Sequence, residues 1–448
     1  MQHWANDAVF YHIYPLGFCG APPQNDFHWP AVHRLEHIIG WLDHLENLGI
    51  TAIYLGPVFE SSRHGYDTVD YYHVDRRLGN NETLKRLIAA IHARGMRVIL
   101  DGVFNHVGRD FWAFYDLRQN GERSLYRDWF HGVRFGERSR YGDPFTYTGW
   151  EGHYSLVKLN LGNPAVREHL LGALALWLDE FEIDGLRLDA ADQVDPAFWR
   201  ELAAFCRHRC WLMGEVIHGD YRRWANPAML HSVTNYECYK GLWSSHVDRN
   251  YFEIAYALKR QFGADGLYRG LPLYNFADNH DVDRVASRLT NPAHLYPLYA
   301  LLFTMPGVPS IYYGSEWGIT GRKSNGSDAA LRPFLQLPEI MRSAPHPELA
   351  EAIRRLIALR RRLPALRQGN YEQLHIAHEQ FAFARRTNDQ CVIVAVNAAE
   401  HAVPVEVTLP VSGTLVLDEL SPPDLFHVNE GRARFDVPPR WARVLRLE

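Results

Sequence analysis

The chain has 448 residues, 47% of them hydrophobic and 22% charged, with a formal net charge of −5. Such a length holds one large domain and smaller attachments, and the composition is that of an ordinary globular protein. The acidic balance offers no basic surface to nucleic acid or anionic lipid, and no run of about 18 apolar residues could span a membrane.

The segment from Met1 to Asp7 lacks a basic stretch followed by an apolar one, so no signal peptide is expected and a cytoplasmic protein is. Strand-like runs follow at 9–14, 50–55, 97–101, 185–189, 211–215, 232–236, 273–276 and 310–312. Helical patterns lie between most of them, at 32–48, 82–93, 164–181, 196–208, 251–262 and 295–303. Eight strands alternating with helices predict an α/β chain folded as a (β/α)8 barrel. No glycine-rich phosphate loop follows the first strand, which disfavours an open doubly wound sheet.

Some sixty residues separate the third strand from the helix at Pro164, too many for a structureless loop. Aromatic residues crowd this stretch, and it is read as an inserted B subdomain over 107–158. Tyr154 is expected in its small core, while Trp150 fits a core position and a substrate platform equally. The barrel then comprises 1–106 and 159–363. The arginines of Arg354-Arg355 and Arg360-Arg361-Arg362 recur at helical spacing and are read as a solvated helix face. From 364 to 448 alternating segments at 373–377, 380–386, 391–396, 402–408, 413–417 and 441–446 predict an antiparallel β-sandwich domain. Its turn signals stand at Asn388-Asp389, Ser412-Gly413 and Glu430-Gly431.

The five cysteines are an odd, scattered set, expected to be reduced and buried; Cys206 and Cys210 lack the second pair that zinc would need. The 24 histidines show no zinc-ligand spacing. The abundance of Trp and Tyr fits a large core and also fits stacking on sugar rings.

Four segments carry candidate chemistry. Gly185–Asp192 ends a strand on which Arg187 and Asp189 share a face, so the guanidinium can hold the carboxylate ionised. Gly214-Glu215 ends the next strand, Asn279-His280-Asp281 follows the seventh, and Asp101–His106 closes the third. All fall at C-terminal strand ends, where a barrel has its active-site mouth. Three acids and two histidines converging there are costly unless they work. Glycoside cleavage needs one carboxylate to attack and one carboxylic acid to protonate the leaving oxygen, about 5 Å apart for double displacement. A third carboxylate can stabilise a cationic transition state.

These motifs, in this order and on these strands, resemble the α-amylase family, glycoside hydrolase family 13, across nearly the whole chain. The resemblance implies a retaining α-glucoside hydrolase with Asp189 as nucleophile, Glu215 as acid/base and Asp281 as the third carboxylate. It implies that Arg187, His106 and His280 hold the glucose ring at the cleavage subsite. Tyr66, within His64-Gly65-Tyr66-Asp67, would stack on that ring, with Asp67 beside it. Leu156–Asn160 resembles, with two changes, the Met-Pro-Lys-Leu-Asn signature of the cyclomaltodextrinase, neopullulanase and maltogenic amylase branch. That branch typically carries an extra N-terminal β domain, not expected here with the first strand at about Val9. Asp328 and Arg332 match a sugar-anchoring pair of relatives acting on short chains, and equally fit an i,i+4 salt bridge. Asn105 matches a calcium ligand of many amylases, so calcium is a candidate ligand although no cofactor is required.

The resemblance implies an oligosaccharide or α-glucan substrate and leaves the oligomeric state open. Transfer of the glycosyl group to another sugar by the same site is the alternative reading, and a silent carbohydrate-binding homologue a remoter one.

Overall fold

A computed structural model describes residues 3–207, 209–324 and 326–448. Eight parallel strands form one sheet: β1 (Phe10–Ile13), β2 (Ala52–Leu55), β3 (Arg97–Gly102), β4 (Gly185–Leu188), β5 (Trp211–Gly214), β6 (Ser232–Val233), β7 (Tyr274–Phe276) and β8 (Val308–Tyr312). They run in the order β6-β5-β4-β3-β2-β1-β8-β7. A bridge between Thr234 and Tyr274 joins the two ends, closing the sheet into a barrel.

Side chains alternate along each strand, which sorts the core into two layers. Phe10, Ala52, Tyr54, Ile99, Trp211, Met213, Tyr274, Phe276 and Val308 fill the interior, while Tyr11, Ile53, Leu100, Leu186 and Leu212 pack outward against the helices. The interior is apolar at the N-terminal end and polar at the other, as Ile99 gives way to Asp101, and Gly185 to Arg187 and Asp189. That gradient puts every candidate group at one mouth.

The expected helix over 32–48 is broken into Glu36–Ile39 and Leu42–Leu48, and the approach to it is tied instead to the next loop, Leu35 N–H donating to Leu78 O at 2.9 Å. The strand expected over 232–236 stops at Val233. Asn235 is an N-cap whose side chain accepts from Cys238 N–H, so Tyr236 opens the helix Tyr236–Val247. The helix expected over 196–208 is Pro196–Cys206; His208 lies outside the described residues.

Between β3 and the helix Pro164–Asp179, the strand His106–Gly108 pairs antiparallel with His153–Lys158, and the helix Trp112–Asn120 sets Phe114 against Phe145 and Tyr147. Phe114, Phe145 and Tyr147 form the heart of this insertion, with Tyr154 set edge-on to Tyr147.

The C-terminal strands are β9 (Asn370–Ile376), β10 (Gln380–Arg386), β11 (Cys391–Asn397), β12 (Val403–Thr408), β13 (Leu415–Asp418), β14 (Leu425–Asn429), β15 (Arg432–Val437) and β16 (Trp441–Leu447). They form one antiparallel sheet, ordered β9-β10-β11-β16-β13-β14-β15-β12, wrapped around a core that includes Ile393, Val405, Val407, Phe435 and Leu445. Two strands, β14 and β15, were not expected. The solvated-face reading of the arginines fails at Arg360, which is fully buried and donates to the carbonyls of Phe303 and Leu366 at 3.0 Å. All five cysteines are free and buried. Among the described residues no helix is long and apolar enough to cross a membrane.

Candidate active site

The site is built around one guanidinium. Arg187, on the inward face of β4, donates from Nη1 to both Asp101 oxygens at 2.9 and 3.1 Å and to Asp189 Oδ1 at 2.7 Å. Its Nη2 lies 2.9 Å from Glu215 Oε2. Three carboxylates from β3, β4 and β5 thus share one buried cation, and Asp101 is further held by Tyr54 Oη at 2.7 Å and Tyr66 Oη at 3.0 Å.

Depth increases from Asp281 inward. Its side chain is 35% exposed, Glu215 13%, Asp189 10% and Asp101 0%. The cluster therefore has a way out to solvent, and the more accessible acids are the outer ones.

Local backbone geometry aims these groups. After β4 the chain passes through a left-handed turn at Ala190 (φ 43°, ψ 46°), uncommon for a residue with a side chain. The turn presents Ala190 N–H to Glu215 Oε2 at 3.1 Å, linking the end of β4 to the end of β5. Beyond β7, Asn279 Oδ1 accepts from Asp281 N–H at 2.8 Å. Asp281 in turn lies 2.9 Å from His280 Nε2 and 3.0 Å from Arg332 Nη2.

Burial pushes the Asp189 carboxyl well up, aided by repulsion from Glu215 and Asp101 and opposed by Arg187. Glu215 is raised too, mainly by burial and then by Asp281, against the pull of Arg187 and the Ala190 amide. Burial also acts upward on Asp281, but His280 and Arg332 outweigh it and hold this carboxyl far below the usual range. One acid is thus kept charged, while the two sharing Arg187 compete for a proton.

The histidines are equally specific. Burial pushes the His106 imidazole down to about 3, so it is neutral. Its Nδ1 lies 3.1 Å from the Asn105 amide nitrogen, which leaves Nε2 to carry the hydrogen; that atom stands 3.8 Å from Asp189 Oδ2, too far to bond. His106 Nε2 and His280 Nδ1 are both buried without a hydrogen-bond partner. Tyr66 lies parallel to His280 at 5.3 Å, its hydroxyl in a close hydrogen bond to His280 Nε2.

The structure brings Asp189, Glu215, Asp281, Arg187, His106, His280 and Tyr66 together. Asp67 is instead spent on its own loop, accepting from His64 N–H at 3.1 Å. Arg332 contacts Asp328 and Asp281, each at 3.0 Å, so the i,i+4 pair is real and reaches the site. It is not a helix pair, because a short 3-10 turn, Ala329–Leu331, separates the two residues. Trp150 stands 5.4 Å from the His106 ring, at the edge of the site. Asn105, the candidate calcium ligand, turns its amide nitrogen to His106 Nδ1 at 3.1 Å, and among the described residues no three His, Cys, Asp or Glu side chains are grouped to hold a metal.

Sequence reasoning missed Asp101 as the second anchor of Arg187, together with Tyr54 and His12, whose rings stack 4.1 Å apart beneath it. The strand alternation that turns Tyr54 and His12 inward was the available signal.

The family model described as the alpha amylase catalytic domain matches residues 12–344. A cyclomaltodextrinase from a Bacillus species is 33% identical over 420 residues, covering 88% of this chain and 73% of that protein. The intracellular maltogenic amylase of Bacillus subtilis is 30% identical over 413 residues, covering 87% and 68%. Among solved structures, the cyclic α-maltosyl-(1→6)-maltose hydrolase of Arthrobacter globiformis, in complex with maltose, superposes with a TM-score of 0.82 at 30% identity and covers 99% of each chain. The barrel, the charged mouth and these likenesses agree: the chain belongs to the α-amylase family, glycoside hydrolase family 13.

Proposed function

We propose that the protein hydrolyses α-1,4-glucosidic bonds of maltooligosaccharides, cyclodextrins or related α-glucans by double displacement. The observation that carries this reading is the single Arg187 guanidinium shared by Asp189 and Glu215 at the open end of the barrel. Two like charges so placed do not both ionise readily, and catalysis needs one of each form.

Asp189, with the 2.7 Å contact to Arg187, is the carboxylate that attacks the anomeric carbon. When the shared proton sits on Glu215, the more exposed of the two at 13% against 10%, it passes to the glycosidic oxygen as the bond breaks. The aglycone then departs, and Glu215, now a carboxylate, takes a proton from the water that attacks the glycosyl–Asp189 ester. Asp281, held ionised by His280 and Arg332, accepts from sugar hydroxyls and offsets the positive charge developing on the ring. The unpartnered Nε2–H of His106 is a donor, and Nδ1 of His280 a further polar position, that sugar hydroxyls would satisfy.

No step uses a metal or cofactor. The maltose-bound Arthrobacter relative supports an α-glucan oligosaccharide as substrate, and the intracellular name of the Bacillus subtilis relative supports a cytoplasmic setting. A sugar hydroxyl can replace water in the second step, so products decide between hydrolysis and transfer. The test is a panel of maltotriose, cyclodextrins, starch, pullulan and isomaltose with products identified early in the reaction. Maltose and glucose released in the α configuration are expected; β products from every substrate, or turnover of none, would refute the reading.

A further inference from the structure

A cavity of about 590 Å³ opens on the same end of the barrel as the active site, between the loops that follow β1 and β2, and shares no residue with that site. Its walls include Trp29, Glu60, Asp70, His73, Arg76 and Asn80. The volume falls in the range of small-molecule pockets, roughly 300–1,000 Å³.

Trp29 is 70% exposed, an unusual position for the largest apolar side chain. It is nevertheless firmly mounted. Asp26 Oδ1 accepts from the N–H groups of His28 and Trp29, each at 3.0 Å. Asn25 donates to Glu60 Oε1 at 3.1 Å, Arg76 donates to Phe27 O, and Val32 N–H donates to Arg76 O at 2.9 Å. Glu60 and Arg76 are themselves paired at 2.6 Å. The loop that carries the indole is thus held by hydrogen bonds, so little backbone order remains to be gained when something settles on it.

The polar wall narrows the ligand. Glu60 is paired with Arg76 at 2.6 Å and Asp70 lies 2.7 Å from His73, so these wall groups are engaged with one another. The helix Asn81–His92 begins here, but its cap is closed by Asn80 and Thr83, and Glu82 in its first turn would repel an anion. What remains is an exposed aromatic ring in one cavity with planar carboxylate, guanidinium, imidazole and amide groups. That pairing suits a neutral polyol with an apolar ring face, which is a sugar.

We propose that this cavity is a second carbohydrate site, taking one or two glucosyl units of an α-glucan outside the active cleft. That the ligand is a sugar rests on the cavity itself; that it is an α-glucan rests on the hydrolase reading above. The test is calorimetric titration of maltoheptaose into the full chain carrying Asp189→Asn, with and without Trp29→Ala. Two binding events are expected in the first chain and one in the second, while His73→Ala weakens the same event severalfold. In the active chain, Trp29→Ala should leave maltotriose turnover and the melting temperature unchanged. A single event of unchanged affinity with or without Trp29 would overturn the proposal. Trp29-dependent binding in a chain that turns over no α-glucan would sink the hydrolase reading and leave the sugar site standing.

Discussion

Arg187 balances three buried carboxylates, and that imbalance makes separate predictions for stability and for catalysis. Glu215 is raised in the folded chain, so relative to the unfolded chain it holds its proton to higher pH. Its contribution to stability therefore declines as pH rises above the unfolded value of about 4.3. Asp281 has the opposite sign: its depressed folded value stabilises above about 3.9 and that benefit is lost in acid. Glu215→Gln should accordingly lose several orders of magnitude in kcat while gaining on the parent in denaturation midpoint as pH goes from 4.5 to 8. Arg187→Ala, which strands the carboxylates, should lose about 3–5 kcal/mol at pH 7. Denaturant titrations at both pH values check this; a Glu215→Gln chain that gains nothing on the parent between pH 4.5 and 8 would refute it. At this scale the motif residues were legible because acid, arginine and histidine types at strand ends are informative in themselves. Tyr54 and His12 carried only the weaker signal of strand alternation, since a lone ring in an apolar run reads as core.

Close strand spacing keeps Asp189 and Glu215 in register, and glycine makes it possible. A Cβ on Gly185 would stand 2.5 Å from Trp211 O and 2.9 Å from Ile99 Cγ2, so β4 would have to move away from β5. Gly185→Ala should cost about 1–3 kcal/mol and lower kcat without touching a reacting group. Melting and turnover measured on the purified variant check it, and parental values for both would show that the strands yield freely. Most barrel strands were legible from their apolar runs within a residue or two. The ends of β6 were not, because Asn235 diverts the chain into a helix that the β-like composition of 232–236 conceals. The helix over 32–48 failed for a related reason: its first residues find hydrogen-bond partners in a neighbouring loop that no local pattern reveals.

Across the whole molecule, the C-terminal sheet is fastened to the barrel by buried arginines on helix ends. Arg385, on β10, donates to Thr304 O at 2.7 Å, Leu366 O at 2.9 Å and Gly369 O at 2.9 Å, serving carbonyls that a helix terminus leaves unpaired. Arg385→Ala should therefore lose about 2–3 kcal/mol in urea while the folded fraction keeps parental kcat. Parental stability would mean that the two parts do not depend on this contact. The change of architecture after residue 364 was legible in the switch from helical to alternating pattern. In Arg432–Val437 the alternation is regular, but charged residues at every second position obscured it, and β14 lies half exposed behind Pro422-Pro423. That a surface-looking arginine cluster supplies a buried tie could be learned only from the packing.

The central claim is that Asp189 forms the bond to the sugar. A fluorinated α-glucosyl fluoride, which enters the first displacement readily and leaves the second slowly, should trap the intermediate for mass spectrometry of the digested protein. One glucosyl unit on the peptide containing Asp189 is the predicted result. A label on Glu215 or Asp281, or inactivation with no label at all, would contradict it.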